Sequence, residues 1–230
     1  MNANPPCEEL SWKKAIAYAL GAVASFHLAY SFSPCSFLIA VYLFCLFRLA
    51  NLSSPRKAFY FGFAIGYATF APQLFFIWTI FNAAAIALWA VLAFWIGLFL
   101  LLSQLVCNRF GARNFALLVP FIWMGLEYFR SELYYLRFSW MNVGYVFSTT
   151  PELLRVTNVG MYGIGFVLMA VIAAISLSRR KVSCGLTTVF IFLLGVILNL
   201  TVLYRPSILD DTAVYVAGIQ MEFPSEANVP

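Results

Sequence analysis

The sequence predicts an all-α polytopic membrane protein with about seven transmembrane helices. Of its 230 residues, 63% are hydrophobic and only 10% are charged, and the mean hydropathy is +0.88. An ordinary soluble domain carries about 25% charged residues. A soluble globule of this size could not bury so much apolar surface, so lipid must surround most of the chain. The composition therefore excludes a soluble enzyme, a disordered chain and a DNA-binding module.

Seven apolar stretches are predicted to cross the membrane, because a bilayer core of about 30 Å requires about 20 helical residues. The second and fifth stretches are short, which favours tilted or half-inserted helices. Pro34 ends the first stretch, and Pro206 cannot continue the last one as a helix. In chain order, the predicted spans are 15–31, 36–49, 58–80, 83–106, 115–129, 159–177 and 186–204.

The basic residues alternate between the two sides of this topology. With a cytoplasmic N-terminus, most of the 14 Lys and Arg residues face the cytoplasm, as the positive-inside rule requires. The C-terminus is then periplasmic, and the net charge of +5 reflects topology rather than a nucleic-acid surface. The predicted cytoplasmic set is Lys13, Lys14, Arg48, Arg56, Lys57, Arg109, Arg113, Arg179, Arg180 and Lys181. The first span has no A-x-A-like cleavage site after it and is predicted to be retained.

The tail after the seventh span differs from the rest of the chain. Asp210 and Asp211 lead into 212–221, a run rich in β-branched and aromatic residues that predicts a strand. A lone strand cannot satisfy its own backbone groups, so it needs partner strands. Residues 1–205 are therefore predicted to form the membrane domain. Residues 206–230 are predicted to form a linker and the first strand of an incomplete second domain.

Few ionisable groups fall inside the predicted spans, where they are costly and by default mark function. Glu127 and Arg130 are three residues apart, which places them on one helix face. They predict either a polar wall of an outer-leaflet cavity or a structural ion pair at a helix end. Phe138 and Trp140 belong to a basic and aromatic cluster on the loop that follows. This cluster indicates either interfacial anchoring or contact with a lipid headgroup or substrate.

Other polar and small residues have structural interpretations. His27 is the only histidine and is predicted to make a packed or interhelical hydrogen bond rather than a proton relay. Gln73 and Asn82 are predicted to lie at helix interfaces, with the lining of a cavity as the alternative. Gly62 and Gly66 form a G-x-x-x-G pattern, which permits a close approach of two helices.

No metal site, cofactor site or catalytic set emerges from the residues. The five cysteines are widely spaced and contain no C-x-x-C, which excludes a zinc site and a disulfide framework and predicts free thiols. Cys35 is the only cysteine predicted near the outer face, and no base is predicted beside it. Composition and periodicity alone indicate a membrane scaffold with a few polar groups on its outer side.

The order of several short motifs resembles that of apolipoprotein N-acyltransferases. No single motif is specific, but their order and the predicted topology agree with the family over nearly the whole chain. Ser139 stands where the family usually has Pro, and Met221-Glu222 stand where it often has Gly-Asn. The matching residues are Phe32-Ser33-Pro34, Trp123 with Glu127 and Arg130, Phe138-Ser139-Trp140 with Gly144-Tyr145, Gly160, Tyr162, Gly163 and Phe166, and Ile219-Gln220 with Pro224.

The resemblance implies a protein of the bacterial inner membrane that takes part in lipoprotein maturation. Its partners would be a phospholipid acyl donor and a diacylated lipoprotein, without nucleic acid. The family's Glu–Lys–Cys triad lies in a nitrilase-like domain, whose first strand the tail resembles, so no residue here is assigned a catalytic role. The resemblance and the outer polar groups together make five residues candidates for a lipid cavity: Glu127, Arg130, Phe138, Trp140 and Tyr145.

Three functions stay open from the sequence. The first is the membrane domain of an N-acyltransferase, with the catalytic domain supplied by further sequence or by a separate chain. The second is a non-enzymatic membrane scaffold or binding partner. The third, a small transporter, predicts polar groups near mid-membrane and broken helices in matching positions, and the sequence shows neither clearly.

Overall fold

The computed structural model describes residues 9–148 and 160–177, and these residues are mostly helical. No strand occurs in this described part, and the predicted seventh span and C-terminal strand lie outside it. Connections of two to five residues join three of the four pairs of successive α-helices before residue 128. The helices are α1 (Trp12–Ser31), α2 (Ile39–Leu49), α3 (Pro55–Gln73), α4 (Phe76–Phe81), α5 (Ala84–Tyr128) and α6 (Gly160–Leu177). A 3-10 turn spans Ser33–Leu38, a π-helical turn spans Phe129–Leu133, and a second 3-10 turn spans Val143–Phe147.

Two helical stretches of the described residues are long and apolar enough to cross a membrane. They are Ala84–Leu133 and Gly160–Leu177, and the run Ser33–Leu49 is apolar but shorter. The helical class predicted from the sequence is thus confirmed for the described residues. The count of about seven membrane spans stays a prediction, since α1 and α3 do not meet the same test of length and composition.

The helix α5 is a hairpin of two arms rather than one straight rod. Gly111 interrupts it with a φ of 77° and a ψ of 170°, a conformation that glycine adopts without the steric cost of a side chain. The Phe99 and Trp123 rings lie 4.9 Å apart, and the Trp95 and Phe129 rings lie 5.7 Å apart. These contacts place the two arms side by side and antiparallel. They correspond to the fourth and fifth spans predicted from the sequence.

The first arm of α5 packs closely against α3, as the G-x-x-x-G pattern predicts. A Cβ atom on Gly62 would lie 2.6 Å from the Ile96 carbonyl oxygen, and one on Gly66 would lie 2.8 Å from the Ala93 Cα. Gly97 faces Phe59 across the same contact, and a Cβ atom on Gly97 would lie 3.0 Å from the Phe59 carbonyl oxygen. Only glycine leaves room for backbones this close, so the small residues determine the packing of these two helices.

The end of α3 differs from the continuous span 58–80 predicted from the sequence. The helix stops at Gln73, and the short helix α4 follows after Leu74, whose φ of −107° and ψ of 31° are not helical. Asn82 caps α4 in the left-handed region with a φ of 47° and is exposed. It is therefore a chain-reversing residue, and its predicted place at a helix interface is wrong.

His27 supplies a hydrogen bond that the helix α3 lacks. Pro72 has no backbone N–H, so the carbonyl oxygen of Ala68, four residues earlier, has no donor within the helix. His27 Nε2 lies 3.0 Å from this oxygen, and Gln73 Nε2 lies 3.0 Å from His27 Nδ1. Since the amide of Gln73 donates to Nδ1, the imidazole carries its proton on Nε2 and donates to Ala68. The predicted interhelical roles of His27 and Gln73 are confirmed.

This arrangement predicts an energetic coupling between His27 and Pro72. We expect His27→Ala to cost about 1 kcal/mol, the size of a hydrogen bond between membrane helices. The same change should cost clearly less in a Pro72→Ala background, because alanine restores the N–H that bonds to Ala68. A double-mutant cycle from unfolding in mixed micelles measures this coupling. Equal losses from His27→Ala in both backgrounds would contradict the assignment.

Two of the described cysteines have free thiols, as the sequence predicted. Cys45 is buried in α2, and Cys35 lies in the 3-10 turn before it. Cys107 is disulfide-bonded, so the prediction of free thiols is wrong at this residue.

Candidate functional site

Glu127 and Arg130 lie at the end of the second arm of α5, on the face turned into the bundle. Glu127 is 7% exposed and Arg130 is 3% exposed. The π-helical turn Phe129–Leu133 continues the helix here and carries Arg130 and Ser131, both buried. Such wide turns occur frequently at functional sites. The structure thus brings the two charged residues to one buried location, at the end of the bundle where α1 and α3 end and α6 begins.

The Glu127 carboxylate binds the backbone of the segment 138–145 and the neighbouring Trp123 side chain. Its Oε1 accepts a hydrogen bond of 3.0 Å from the Val143 N–H, which is buried. Its other oxygen, Oε2, lies 2.7 Å from the position that a Cβ on Gly165 would occupy. The glycine in α6 therefore leaves the space that the carboxylate fills. Glu127 connects the end of α5 to the segment 138–145 and to α6.

The Arg130 guanidinium binds the same segment from the other side. Its Nη2 donates to the Trp140 carbonyl oxygen at 3.3 Å and to Asn142 Oδ1. The guanidinium carbon also lies 5.8 Å from the centre of the Phe70 ring in α3, within the range of a cation–π contact. Neither charged group hydrogen-bonds directly to the other in the described residues. Both hold the segment 138–145 instead.

Asn142 is the polar centre of this segment, although it was not among the site residues predicted from the sequence. It is 0% exposed, its Nδ2 donates to Ser131 Oγ at 3.0 Å, and its carbonyl oxygen accepts from the Tyr30 hydroxyl at 2.7 Å. Met141, beside it, has a φ of 60°, which is unfavourable for a residue with a side chain. Backbone strain of this kind concentrates at functional sites. An asparagine within a loop rich in aromatic residues was the available sequence signal for this position.

The aromatic candidates lie on the outside of the same segment. Trp140 is 47% exposed and Tyr145 is 40% exposed, whereas Phe138 is half-buried. The Phe138 and Trp140 rings meet edge to face at 5.1 Å, and the Trp140 ring lies 5.6 Å from that of Phe76 in α4. The five candidates therefore form two layers. Glu127 and Arg130 anchor the segment from within, and Phe138, Trp140 and Tyr145 form its outer face.

A further contact ties α6 to the π-helical turn. The Tyr162 hydroxyl donates to Glu132 Oε1 at 2.6 Å on the exposed side of the site. Gly144 faces the start of α6, since a Cβ there would lie 2.7 Å from the Met161 carbonyl oxygen. In the described part of the chain, no three His, Cys, Asp or Glu side chains come together as metal ligands would. The chemistry available to the cluster is the positioning of the segment 138–145.

These features define a class of protein: a helical membrane domain in which buried charged and amide side chains hold an exposed aromatic segment in place. The chain belongs to the family described as the apolipoprotein N-acyltransferase N-terminal domain, which matches residues 19–175. This region contains all five candidate residues. The chain is also similar to the apolipoprotein N-acyltransferase of Geobacter metallireducens, with 30% identity over 163 residues. The match covers 66% of this chain but only 31% of that relative, so it spans less than a third of the relative's length.

Proposed function

We propose that this chain is the membrane part of a lipoprotein N-acyltransferase of the bacterial inner membrane. The match to the family's N-terminal domain over residues 19–175 carries this proposal. The name of the Geobacter relative and the two apolar helical stretches support it. In this proposal the chain crosses the membrane several times, with a cytoplasmic N-terminus and a periplasmic C-terminus. The distribution of basic residues supports that orientation.

The proposed role of the domain is to hold a catalytic domain at the outer leaflet and to admit phospholipid from the side. Phe138, Trp140 and Tyr145 would form the rim that a lipid passes, because exposed aromatic side chains favour the headgroup region. Glu127 and Arg130 would act as positioning residues. Each binds the backbone of the segment that carries the rim, and neither is exposed enough to contact a headgroup directly.

The acyl transfer itself would use the Glu–Lys–Cys triad of a nitrilase-like domain, on the same chain or on a separate one. The cysteine thiolate attacks the phospholipid ester carbonyl, the lysophospholipid alkoxide leaves and takes a proton, and a thioester forms. The α-amine of the diacylated N-terminal cysteine of a lipoprotein then attacks the thioester. The amide forms, the amine loses a proton, and the thiolate leaves. Covalent catalysis divides one difficult transfer into two easier steps.

A chimera tests the proposed function. We expect the Geobacter protein to retain N-acylation of lipoproteins when residues 19–175 of this chain replace its corresponding domain. The segment 138–145 would then present the same aromatic rim to the lipid. Mass spectrometry of the N-terminal lipopeptides measures the product. A Trp140→Ala chimera should raise KM for phospholipid more than it lowers kcat, whereas Tyr60→Ala, at an exposed aromatic residue of α3, should change neither.

One outcome of the chimera experiment would contradict the proposed function. The chimera would insert into the membrane and accumulate to the level of the parent, yet lipoproteins would lack the third acyl chain. This outcome would favour a non-enzymatic scaffold. Equal kinetic constants for the Trp140→Ala chimera and the unsubstituted chimera would remove Trp140 from the rim while leaving the family function intact.

A further inference from the structure

A small cavity lies beneath the polar cluster. Aromatic rings from α1, α2, α3 and both arms of α5 form most of its wall, and Glu127 and Arg130 form its polar side. Its volume is about 20 Å³. A space of this size holds one water molecule and excludes a lipid headgroup or a peptide. The cavity is therefore distinct from the exposed aromatic face proposed to contact lipid.

Five polar atoms of the cavity-lining residues are buried: Tyr42 Oη, Trp95 Nε1, Trp123 Nε1, Glu127 Oε2 and Arg130 Nε. Trp123 donates to the neighbouring Glu127 carboxylate, whereas Tyr42 Oη, Trp95 Nε1 and Arg130 Nε have no hydrogen-bond partner among protein atoms. Each of these side chains is 8% exposed or less. Buried polar groups in native proteins are nearly always paired with protein atoms or with ordered water. Three unpaired groups around one cavity, beside a carboxylate that can accept further hydrogen bonds, therefore point to a shared polar partner within it.

The chemistry of these atoms specifies the partner. Trp123 Nε1 and Glu127 Oε2 both lie within 3.0 Å of the Cβ position of Gly165, so they are close neighbours. Around the cavity, Arg130 Nε–H and Trp95 Nε1–H can only donate a hydrogen bond, whereas Glu127 Oε2 and Tyr42 Oη can accept one. Two donors and two acceptors match the two lone pairs and two hydrogens of a water molecule. A cation would face the guanidinium and an anion the carboxylate, so a neutral partner fits best.

We infer that this cavity binds one ordered water molecule that joins Glu127 to Arg130. The water accepts from Arg130 and Trp95 and donates to Glu127 and Tyr42. The two charged groups, which share no direct hydrogen bond, are thereby paired through water inside the bundle. The inference does not depend on the proposed acyl transfer, since it concerns only contacts within this chain.

Magnetic resonance of the full chain in deuterated phospholipid bilayers tests the inference. The protein carries ¹⁵N in its tryptophans, and magnetisation is transferred from water to each indole N–H. Each indole signal is assigned by its loss in the corresponding Trp95→Phe or Trp89→Phe variant. Trp89 is the matched control. It is 6% exposed, but its Nε1 donates to the Leu74 carbonyl oxygen at 3.2 Å.

We expect the Trp95 indole to receive magnetisation from water several-fold faster than the Trp89 indole. Trp89 lies nearer the start of α5 than Trp95 does, so simple proximity to bulk water at that end favours the opposite order. Transfer to Trp95 that is no faster than transfer to Trp89 would overturn the inference. Because acyl transfer is not measured, this outcome is distinguishable from a failure of the proposed function.

Discussion

Replacing Gly62 with alanine is expected to lower the free energy of unfolding by about 3 kcal/mol, at the upper end of the range for overpacked sites. The added Cβ would lie 2.6 Å from the Ile96 carbonyl oxygen and 2.8 Å from the Gly97 Cα. These are backbone atoms, so no side chain can rotate away. The two helices would have to separate along the contact that also includes Gly66. Unfolding in mixed micelles, followed by circular dichroism, measures the loss.

The matched control for this prediction is Gly125→Ala. Gly125 lies within α5, and a Cβ there would have no neighbour within 4 Å. We expect this change to be neutral or to stabilise the protein by about 0.5 kcal/mol, because alanine has the higher helix propensity. If Gly62→Ala and Gly125→Ala behave alike, helix propensity rather than close packing governs both sites, and the assigned contact between α3 and α5 is wrong.

Replacing Glu127 with alanine is expected to release the segment 138–145. The Val143 N–H, now bound to Glu127 Oε1 at 3.0 Å, would be left buried without an acceptor. Arg130 would also keep its charge without a nearby carboxylate. The loss of one hydrogen bond to a charged group costs about 1.5–3 kcal/mol. The amide of Val143 should therefore exchange with solvent up to about a hundredfold faster, since each 1.36 kcal/mol is tenfold. Hydrogen–deuterium exchange read by mass spectrometry measures this change.

Two control variants separate the role of the buried carboxylate from a general effect of mutation. Glu127→Gln keeps an oxygen that can accept from Val143, so most of the protection should be retained. Glu132→Ala removes an exposed carboxylate five residues later, whose partner is the Tyr162 hydroxyl, and should leave the Val143 amide unchanged. Unaltered exchange at Val143 in Glu127→Ala would show that Glu127 does not hold the segment.

The second layer of the site depends on this anchoring. Trp140 and Tyr145 are exposed, so little in their own packing fixes where they point. The bonds from Arg130 to the Trp140 carbonyl oxygen and from Tyr30 to the Asn142 carbonyl oxygen fix the backbone beneath them. A release of the segment would therefore disturb the proposed lipid rim without removing any side chain from it. This is why Glu127→Ala and Trp140→Ala should differ, with only the former changing amide exchange at Val143.

The sequence alone determined the class of the protein and the helical nature of the described residues. Composition predicts that lipid surrounds most of the chain, since 63% of the residues are hydrophobic. The G-x-x-x-G pattern predicts the close helix contact at Gly62, because the spacing of small residues on one face is local information. The order of motifs indicates the family to which residues 19–175 belong. Each of these properties is encoded by residues that lie near one another in the chain.

Only the tertiary structure decided how the polar groups are paired. The spacing of Glu127 and Arg130 suggested either a polar cavity wall or an ion pair, and it gave no sign that both would hydrogen-bond to the segment 138–145. The partner of His27 is the carbonyl of Ala68, 41 residues away, which is free because of Pro72. Buried polar groups take whichever partners the assembled fold places within hydrogen-bond distance. These partners come from different parts of the fold, so the spacing of residues in the sequence does not predict them.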